Sequence, residues 1–93
     1  MLVLGLDPGL AITGYGLVES DGQHLEMVSY GVIRTAADLR LSDRLVRLHD
    51  ELTALMVRWE PKVAAVEELF FSTNARTAMV VGEARGVLLL TLA

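Results

Sequence analysis

Cysteine is missing from this sequence, and proline occurs only twice among its 93 residues. Without cysteine the chain has neither a disulfide framework nor a thiolate metal site, which fits a reducing compartment. The longest apolar stretch, Gly86 to Ala93, is too short to span a bilayer. The N-terminus also lacks the basic region of a signal peptide. We therefore expect a cytoplasmic protein.

Basic residues are also few. The sequence has 8 Lys and Arg residues against 12 Asp and Glu residues, and its formal net charge is −4. Because binding to duplex phosphates usually takes a basic face, this balance argues mildly against nucleic acid. A DNA-binding role would depend on metal ions, on a few arginines, or on sequence outside these residues. Apolar residues, in contrast, make up 53% of the chain, which excludes disorder.

The first third of the sequence predicts three strands. An apolar strand from Met1 to Leu6 is followed by a second over residues 12–19, and a turn signal then leads into a third, His24 to Arg34. The short turns predict an antiparallel meander. Strict alternation along the third strand divides its apolar residues between two faces, Leu25, Met27 and Ile33 on one and Val28, Tyr30 and Val32 on the other.

The hydrophobic period changes after residue 40. Large apolar residues recur at spacings of three and four, which predicts an amphipathic helix that ends before Pro61. These residues are Leu41, Leu45, Leu48, Leu52, Leu55 and Trp59. A fourth strand is predicted from Lys62 to Glu67, and a second helix from near Ala75. We expect the leucines and Trp59 in the core, with Met27 and Met79 filling gaps there.

Two of the predicted strands end on a carboxylate, Asp7 after the first and Glu67 after the fourth. A right-handed crossover through the helix can place strand four beside strand one and parallel to it. Both carboxylates would then lie at one C-terminal edge, where open α/β sheets build their sites. Two like charges there favour a cation between them, and oxygen ligands favour Mg²⁺ or Mn²⁺.

A simpler interpretation of Asp7 stays open at this point. Asp before Pro8-Gly9 is a favoured turn opener, because its side chain bonds backbone amides. Glu67 would then be merely solvated at a strand end. In the functional interpretation, the neighbouring Gly9, Gly14 and Gly16 let a phosphate backbone approach the strand closely.

Four strings in the sequence, in order along the chain, resemble the RuvC family of Holliday-junction resolvases. They are LGLDPGLAITGYG at 4–16, IRT at 33–35, VEELFFSTNARTA at 66–78 and GEARG at 82–86. The resemblance implies a ribonuclease H-like fold with a five-stranded mixed sheet and a homodimer. It also implies Mg²⁺-dependent endonuclease activity, with Mn²⁺ as a substitute, that nicks four-way DNA junctions symmetrically. RuvA and RuvB, the branch-migration proteins, are the implied partners.

Carried over by position, the resemblance assigns roles to individual residues. Asp7 and Glu67 match the first and second metal-binding, catalytic carboxylates of the family. Phe70 matches an aromatic residue near the junction crossover, where it can stack on bases; ordinary core packing is the alternative. Asn74 and Arg76 are placed to meet a DNA phosphate, although a cap or a solvated surface would also explain them.

The helix that carries Ala78, Gly82 and Gly86 is assigned by the resemblance to the dimer interface. The same stripe of small residues would also fit simple packing of the helix on the sheet.

The sequence departs from the family in one respect: two further aspartates expected on a late helix are missing. We therefore expect residues 1–93 to be a single ribonuclease H-like α/β domain, incomplete at its C-terminus and inactive alone. It would comprise a three-stranded antiparallel meander, a parallel strand and two helices. Two other interpretations are open, a phosphate-binding half-domain of an actin-like ATPase or sugar kinase, and a non-catalytic dimerising module.

Overall fold

The computed structural model describes residues 1–68 and 75–93. Its elements follow the predicted order: β1 Leu2–Asp7, β2 Ile12–Ser20, β3 Leu25–Arg34, α1 Leu41–Trp59, β4 Val63–Val66 and α2 Ala75–Leu92. No end was predicted for α2, and every other bound lies within a residue or two of the predicted one. The agreement is closest for α1, whose start and end are those of the apolar period.

The strands form one sheet in the order β3-β2-β1-β4. The pairs β1–β2 and β2–β3 are antiparallel, and β4 is parallel to β1. The predicted crossover is therefore confirmed, and α1 provides it. The resemblance implied five strands, whereas the described residues form four.

Helix α1 ends where the sequence stops supporting a helix. Glu60 adopts a left-handed conformation at φ 48° and ψ 55°, and its N–H donates to the Met56 carbonyl at 2.9 Å. Pro61 follows and cannot continue the helical ladder. At the other end, the exposed Arg40 guanidinium pairs with Asp43 at 3.2 Å.

The core lies between one face of the sheet and the two helices. One connected cluster of buried residues spans all of these elements: Leu4, Leu6, Leu10, Leu17, Ile33, Leu48, Leu52, Ala84 and Leu88. Leu4 and Leu17 are paired across β1 and β2, so alternation places them on the same face of the sheet. Both helices therefore cover that face.

The predicted division of β3 into two faces is wrong because the strand contains a bulge. Leu17 pairs with Ser29 but Val18 pairs with Met27, so Val28 is an extra residue. The extra residue reverses the alternation. Consequently Leu25 and Met27 share the outer face with Tyr30 and Val32, while Ile33 is buried.

The prediction that Met27 and Met79 fill core gaps is also wrong. Met27 is 57% exposed on the outer face of β3, and Met79 is 65% exposed on α2. Leu41, the first residue of α1, is exposed as well, unlike the fully buried Leu48 and Leu52. Neither helix within the described ranges is long and apolar enough to cross a membrane.

Candidate active site

Asp7 and Glu67 lie side by side at one edge of the sheet. Asp7 is the last residue of β1, and Glu67 directly follows β4. The Glu67 N–H donates to the Leu6 carbonyl at 2.9 Å, which extends the parallel ladder by one residue. Because neighbouring strands are about 4.8 Å apart, this register brings the two residues into adjacent positions with their side chains on the same face. Both side chains are exposed.

The two carboxyl groups interact directly. The pKa of Glu67 is raised above its ordinary value, first by a side-chain hydrogen bond with Asp7, then by Coulombic repulsion from the same carboxyl, and least by burial. The Asp7 carboxyl thus makes ionisation of Glu67 harder, and a cation bound between the two would offset their negative charges. Carboxylate oxygens are also the ligands that Mg²⁺ and Mn²⁺ prefer.

Among the described residues, Asp7 and Glu67 are a pair and not part of a larger donor set. Within residues 1–68 and 75–93, no group of three or more His, Asp or Glu side chains is placed to hold a metal ion. Two carboxylates leave most of an octahedral coordination shell to water or to other ligands. The residues present therefore fit a partial divalent-cation site.

Glycines without side chains occupy much of the sheet surface beside the carboxylates. Gly5, Gly14 and Gly16 lie on the Asp7 face of β1 and β2, according to the strand register. Together with neighbouring residues they line an open cavity of about 430 Å³ that includes Asp7 and Glu67. A Cβ at any of the three glycines would come no closer than 3.6 Å to another atom. Packing within the chain therefore does not require glycine at these positions. The missing side chains leave the backbone of the sheet accessible to a ligand.

The turn after Asp7 has a different requirement. A Cβ on Gly9 would lie 2.1 Å from the Ile12 carbonyl oxygen, so only glycine fits. The Gly9 N–H, which a turn-capping Asp7 would bond, instead donates to the Thr13 hydroxyl at 3.3 Å. The Gly9 amide is therefore not the hydrogen-bond partner that the simpler interpretation of Asp7 as a turn cap requires.

The comparisons with known proteins agree on one family. The family model for Crossover junction endodeoxyribonuclease RuvC matches residues 3–93. The chain belongs to the RuvC family.

Individual RuvC proteins support this assignment over nearly the whole chain. The RuvC of Caldicellulosiruptor saccharolyticus is 50% identical over 92 residues, and that of Thermomicrobium roseum is 53% identical over 90 residues. These matches cover 98% and 97% of this chain, but the chain spans only 55% of the length of either relative.

The fold agrees as well. The T. thermophilus RuvC, solved in complex with a Holliday junction substrate, superposes with a TM-score of 0.86 at 30% sequence identity. That match covers 98% of this chain and 57% of the solved one. The four-stranded mixed sheet with two helices is thus the ribonuclease H-like fold of RuvC, as expected. Family membership favours the nuclease interpretation over the ATPase half-domain and the non-catalytic module.

Of the residues that RuvC resemblance assigned to DNA, one falls within the described part of the chain. Arg76 is exposed in the first turn of α2, and it lines a cavity of about 430 Å³ with the Gly9–Ile12 loop and Arg44. Phe70 and Asn74 lie outside the described residues.

The proposed dimer residues lie on a helix with two distinct sides. Ala84 and Leu88 of α2 are fully buried in the core. Gly86 follows Ala84 by two residues, which on a helix places it on nearly the opposite side, and a Cβ there would meet nothing within 4 Å. Ala78 and Gly82 are half-buried. The small-residue stripe is therefore not the side of α2 that packs into the core.

Sequence reasoning missed a set of polar residues behind the site. Thr13 and Thr35 are buried, and Arg44 of α1 bonds Thr35. Thr35 belongs to the IRT string, which carried the resemblance but was given no role. The IRT string was the sole sequence evidence for such a role. The sequence around a threonine does not show whether its hydroxyl bonds water or a buried carbonyl.

Proposed function

We propose that this chain supplies part of the active site of a divalent-metal-dependent endonuclease that resolves four-way DNA junctions by symmetric nicking. The observation that carries the proposal is the pairing of Asp7 and Glu67 beside a floor of glycines, in a chain of the RuvC family. A relative of the same fold is known in complex with a Holliday junction substrate.

In this proposal, Asp7 and Glu67 hold Mg²⁺, or Mn²⁺ in its place. When bound, such an ion offsets the charge of a phosphodiester and lowers the pKa of a coordinated water. The role of the two carboxylates is to fix the position of that charge at the edge of the sheet. Since the chain carries a net charge of −4, an anionic backbone would otherwise be repelled from this cavity.

The glycine floor and the flanking residues would position the DNA. The bare surface at Gly5, Gly14 and Gly16 admits a sugar–phosphate backbone to within contact distance of the sheet. Arg76 would meet a phosphate from the start of α2, together with Asn74, and Phe70 would stack on an unpaired base. The remaining ligands and most of the DNA-binding surface would come from the part of RuvC that this chain does not span.

Self-association belongs to the same proposal, because symmetric nicking needs two equivalent sites related by a two-fold axis. The side of α2 that carries Ala78, Gly82 and Gly86 also exposes Met79 and Leu90, which are 65% and 76% exposed. Small residues allow close approach and exposed apolar residues favour burial, so this surface suits contact with a second copy. Junctions processed by RuvA and RuvB would be the setting in which the dimer acts.

A chimera tests the proposed function. This chain would replace the matching 90 residues of the Thermomicrobium roseum relative, and the product would be assayed on a four-way junction in Mg²⁺. We expect symmetric nicking that Asp7→Asn and Glu67→Gln each abolish while junction binding is retained. Glu68→Gln, which changes the adjacent exposed carboxylate, is the matched control and should leave both unchanged. Nicking at the unaltered rate by the Asp7→Asn chimera would refute the assignment.

A further inference from the structure

The loop between β1 and β2 is anchored by the side chain of Thr13. This side chain is fully buried, and its hydroxyl donates to the Gly9 carbonyl at 2.5 Å while accepting the Gly9 N–H at 3.3 Å. One side chain thus bonds both backbone groups of the residue two positions after Asp7. Both bonds hold Gly9 against the start of β2.

A second anchor comes from Thr35, just after β3. Its side chain is 5% exposed, and its hydroxyl donates to the Leu10 carbonyl at 2.5 Å. The Thr35 backbone N–H donates to the next carbonyl, that of Ala11, at 3.1 Å. Three successive carbonyls of the loop, at Gly9, Leu10 and Ala11, therefore each accept a hydrogen bond from one of the two threonines.

Arg44 of α1 determines the direction of the Thr35 hydrogen bond. Its Nε donates to the Thr35 hydroxyl oxygen at 3.0 Å, and its Nη2 donates to the Thr35 carbonyl at 3.3 Å. A guanidinium has no acceptor, so the Thr35 hydroxyl must accept from Arg44 and point its own proton at Leu10. The helix that connects β3 to β4 is in this way bonded to the loop that follows Asp7.

We propose that Thr35, oriented by Arg44, is a positioning residue for the Asp7 carboxylate. The inference rests on the proposed function, because it concerns how Asp7 is held for a divalent ion. Asp7 is fixed on one side by strand pairing with Gly14 and on the other by Pro8 and the anchored loop. Loss of the Thr35 hydroxyl leaves the Leu10 carbonyl unpaired and removes one of the three anchors of the loop, so that the bonds at Gly9 and Ala11 remain but the end of β1 can shift relative to Glu67. Partners that bond a metal ligand directly act on affinity without touching the ion, and Thr35 would act on Asp7 in the same sense but through the loop.

The test uses this chain with Mn²⁺ as the probe. Mn²⁺ affinity is measured by electron paramagnetic resonance, and paramagnetic broadening of amide signals locates the ion at residues 7–11 and 67. We expect Thr35→Val, which removes the hydroxyl at similar volume, to weaken Mn²⁺ binding about tenfold. Thr35→Ser keeps the hydroxyl and should restore affinity close to that of the unaltered chain. Arg44→Met should weaken binding in the same direction, and it provides a second variant if Thr35→Val does not fold.

The outcomes separate this inference from the function on which it rests. If Mn²⁺ binding depends on Asp7 but is unchanged in folded Thr35→Val and Arg44→Met, the threonine is only structural and the inference is overturned. If the unaltered chain binds no Mn²⁺, or binds it equally well after Asp7→Asn, the metal site fails and the inference with it. A fall in melting temperature alone, at constant Mn²⁺ affinity, also counts against a positioning role.

Discussion

Replacing Gly9 with alanine should destabilise the turn that carries the chain away from Asp7. Among the described glycines a positive φ occurs at Gly22 and not at Gly9. Glycine is therefore needed at Gly9 because of limited space and not because of the backbone conformation. A Cβ at Gly9 would lie 2.1 Å from the Ile12 carbonyl oxygen, and an ordinary contact starts at 3.4 Å. The two atoms must therefore separate by 1.3 Å (3.4 − 2.1).

Neither side of that contact moves freely. Gly9 is bonded through both backbone groups to Thr13, and Ile12 is paired with Arg34 in the sheet. Overpacking against a fixed backbone costs about 2 kcal/mol. For a domain of this size, such a loss lowers the Tm by about 8–16 °C.

Thermal unfolding followed by far-UV circular dichroism measures the effect, at a protein concentration low enough to keep the chain monomeric. Gly86→Ala is the matched control, because it adds the same methyl group in open space within a helix. Alanine is favoured over glycine there by about 1 kcal/mol, so the control should melt higher than the unaltered chain. A Gly9→Ala chain that melts at or above the unaltered temperature would refute the steric argument.

Three further predictions concern charge, assembly and activity. The raised pKa of Glu67 favours the folded state below the unfolded-state pKa, and this contribution is lost as pH rises through the folded-state value. Asp7→Asn should return the Glu67 pKa toward its ordinary value in a carboxyl NMR titration, and an unchanged titration would contradict the contact. Gly82→Leu should shift a dimer toward monomer or aggregate in analytical ultracentrifugation, whereas an unaltered chain that is monomeric at high micromolar concentration would contradict the interface. The 93-residue chain alone should not nick a four-way junction in Mg²⁺, since two carboxylates cannot hold in place the second metal ion that phosphodiester hydrolysis needs.

The sequence was most informative where one physical constraint determines the structure. Helix α1 could be predicted closely, because its apolar period runs from Leu41 to Trp59 and Pro61 excludes a longer helix. The crossover predicted that β4 is parallel to an earlier strand, and pairing with β1, the arrangement that would bring Asp7 and Glu67 together, is the one observed. Both results depend on backbone geometry that every chain shares.

Elsewhere the sequence carried too little information. The bulge at Val28 reverses the faces of β3, yet no glycine or proline marks it, and alternation continues on both sides. The anchors at Thr13 and Thr35 depend on carbonyls that the loop presents only after the sheet has formed, and Thr35 and Leu10 are 25 positions apart in the chain. Local sequence propensity does not identify hydrogen-bond partners that lie so far apart in the chain.

The location of the carboxylates follows from topology, whereas in our proposal their alignment also depends on side chains of the loop. Asp7 occupies the end of β1, an interior strand paired on both sides, and Glu67 extends β4 in register with it. Since both side chains are exposed, replacing either carboxylate leaves the strand pairs and the core intact, so such variants should stay folded. The loop is different, because the side chains of Thr13 and Thr35 are buried, so that losing their hydrogen bonds costs stability and, in our proposal, alignment of Asp7 as well. Variants of the carboxylates therefore keep the fold and change stability only through the Asp7–Glu67 contact, whereas those of the loop require stability and metal affinity to be measured side by side.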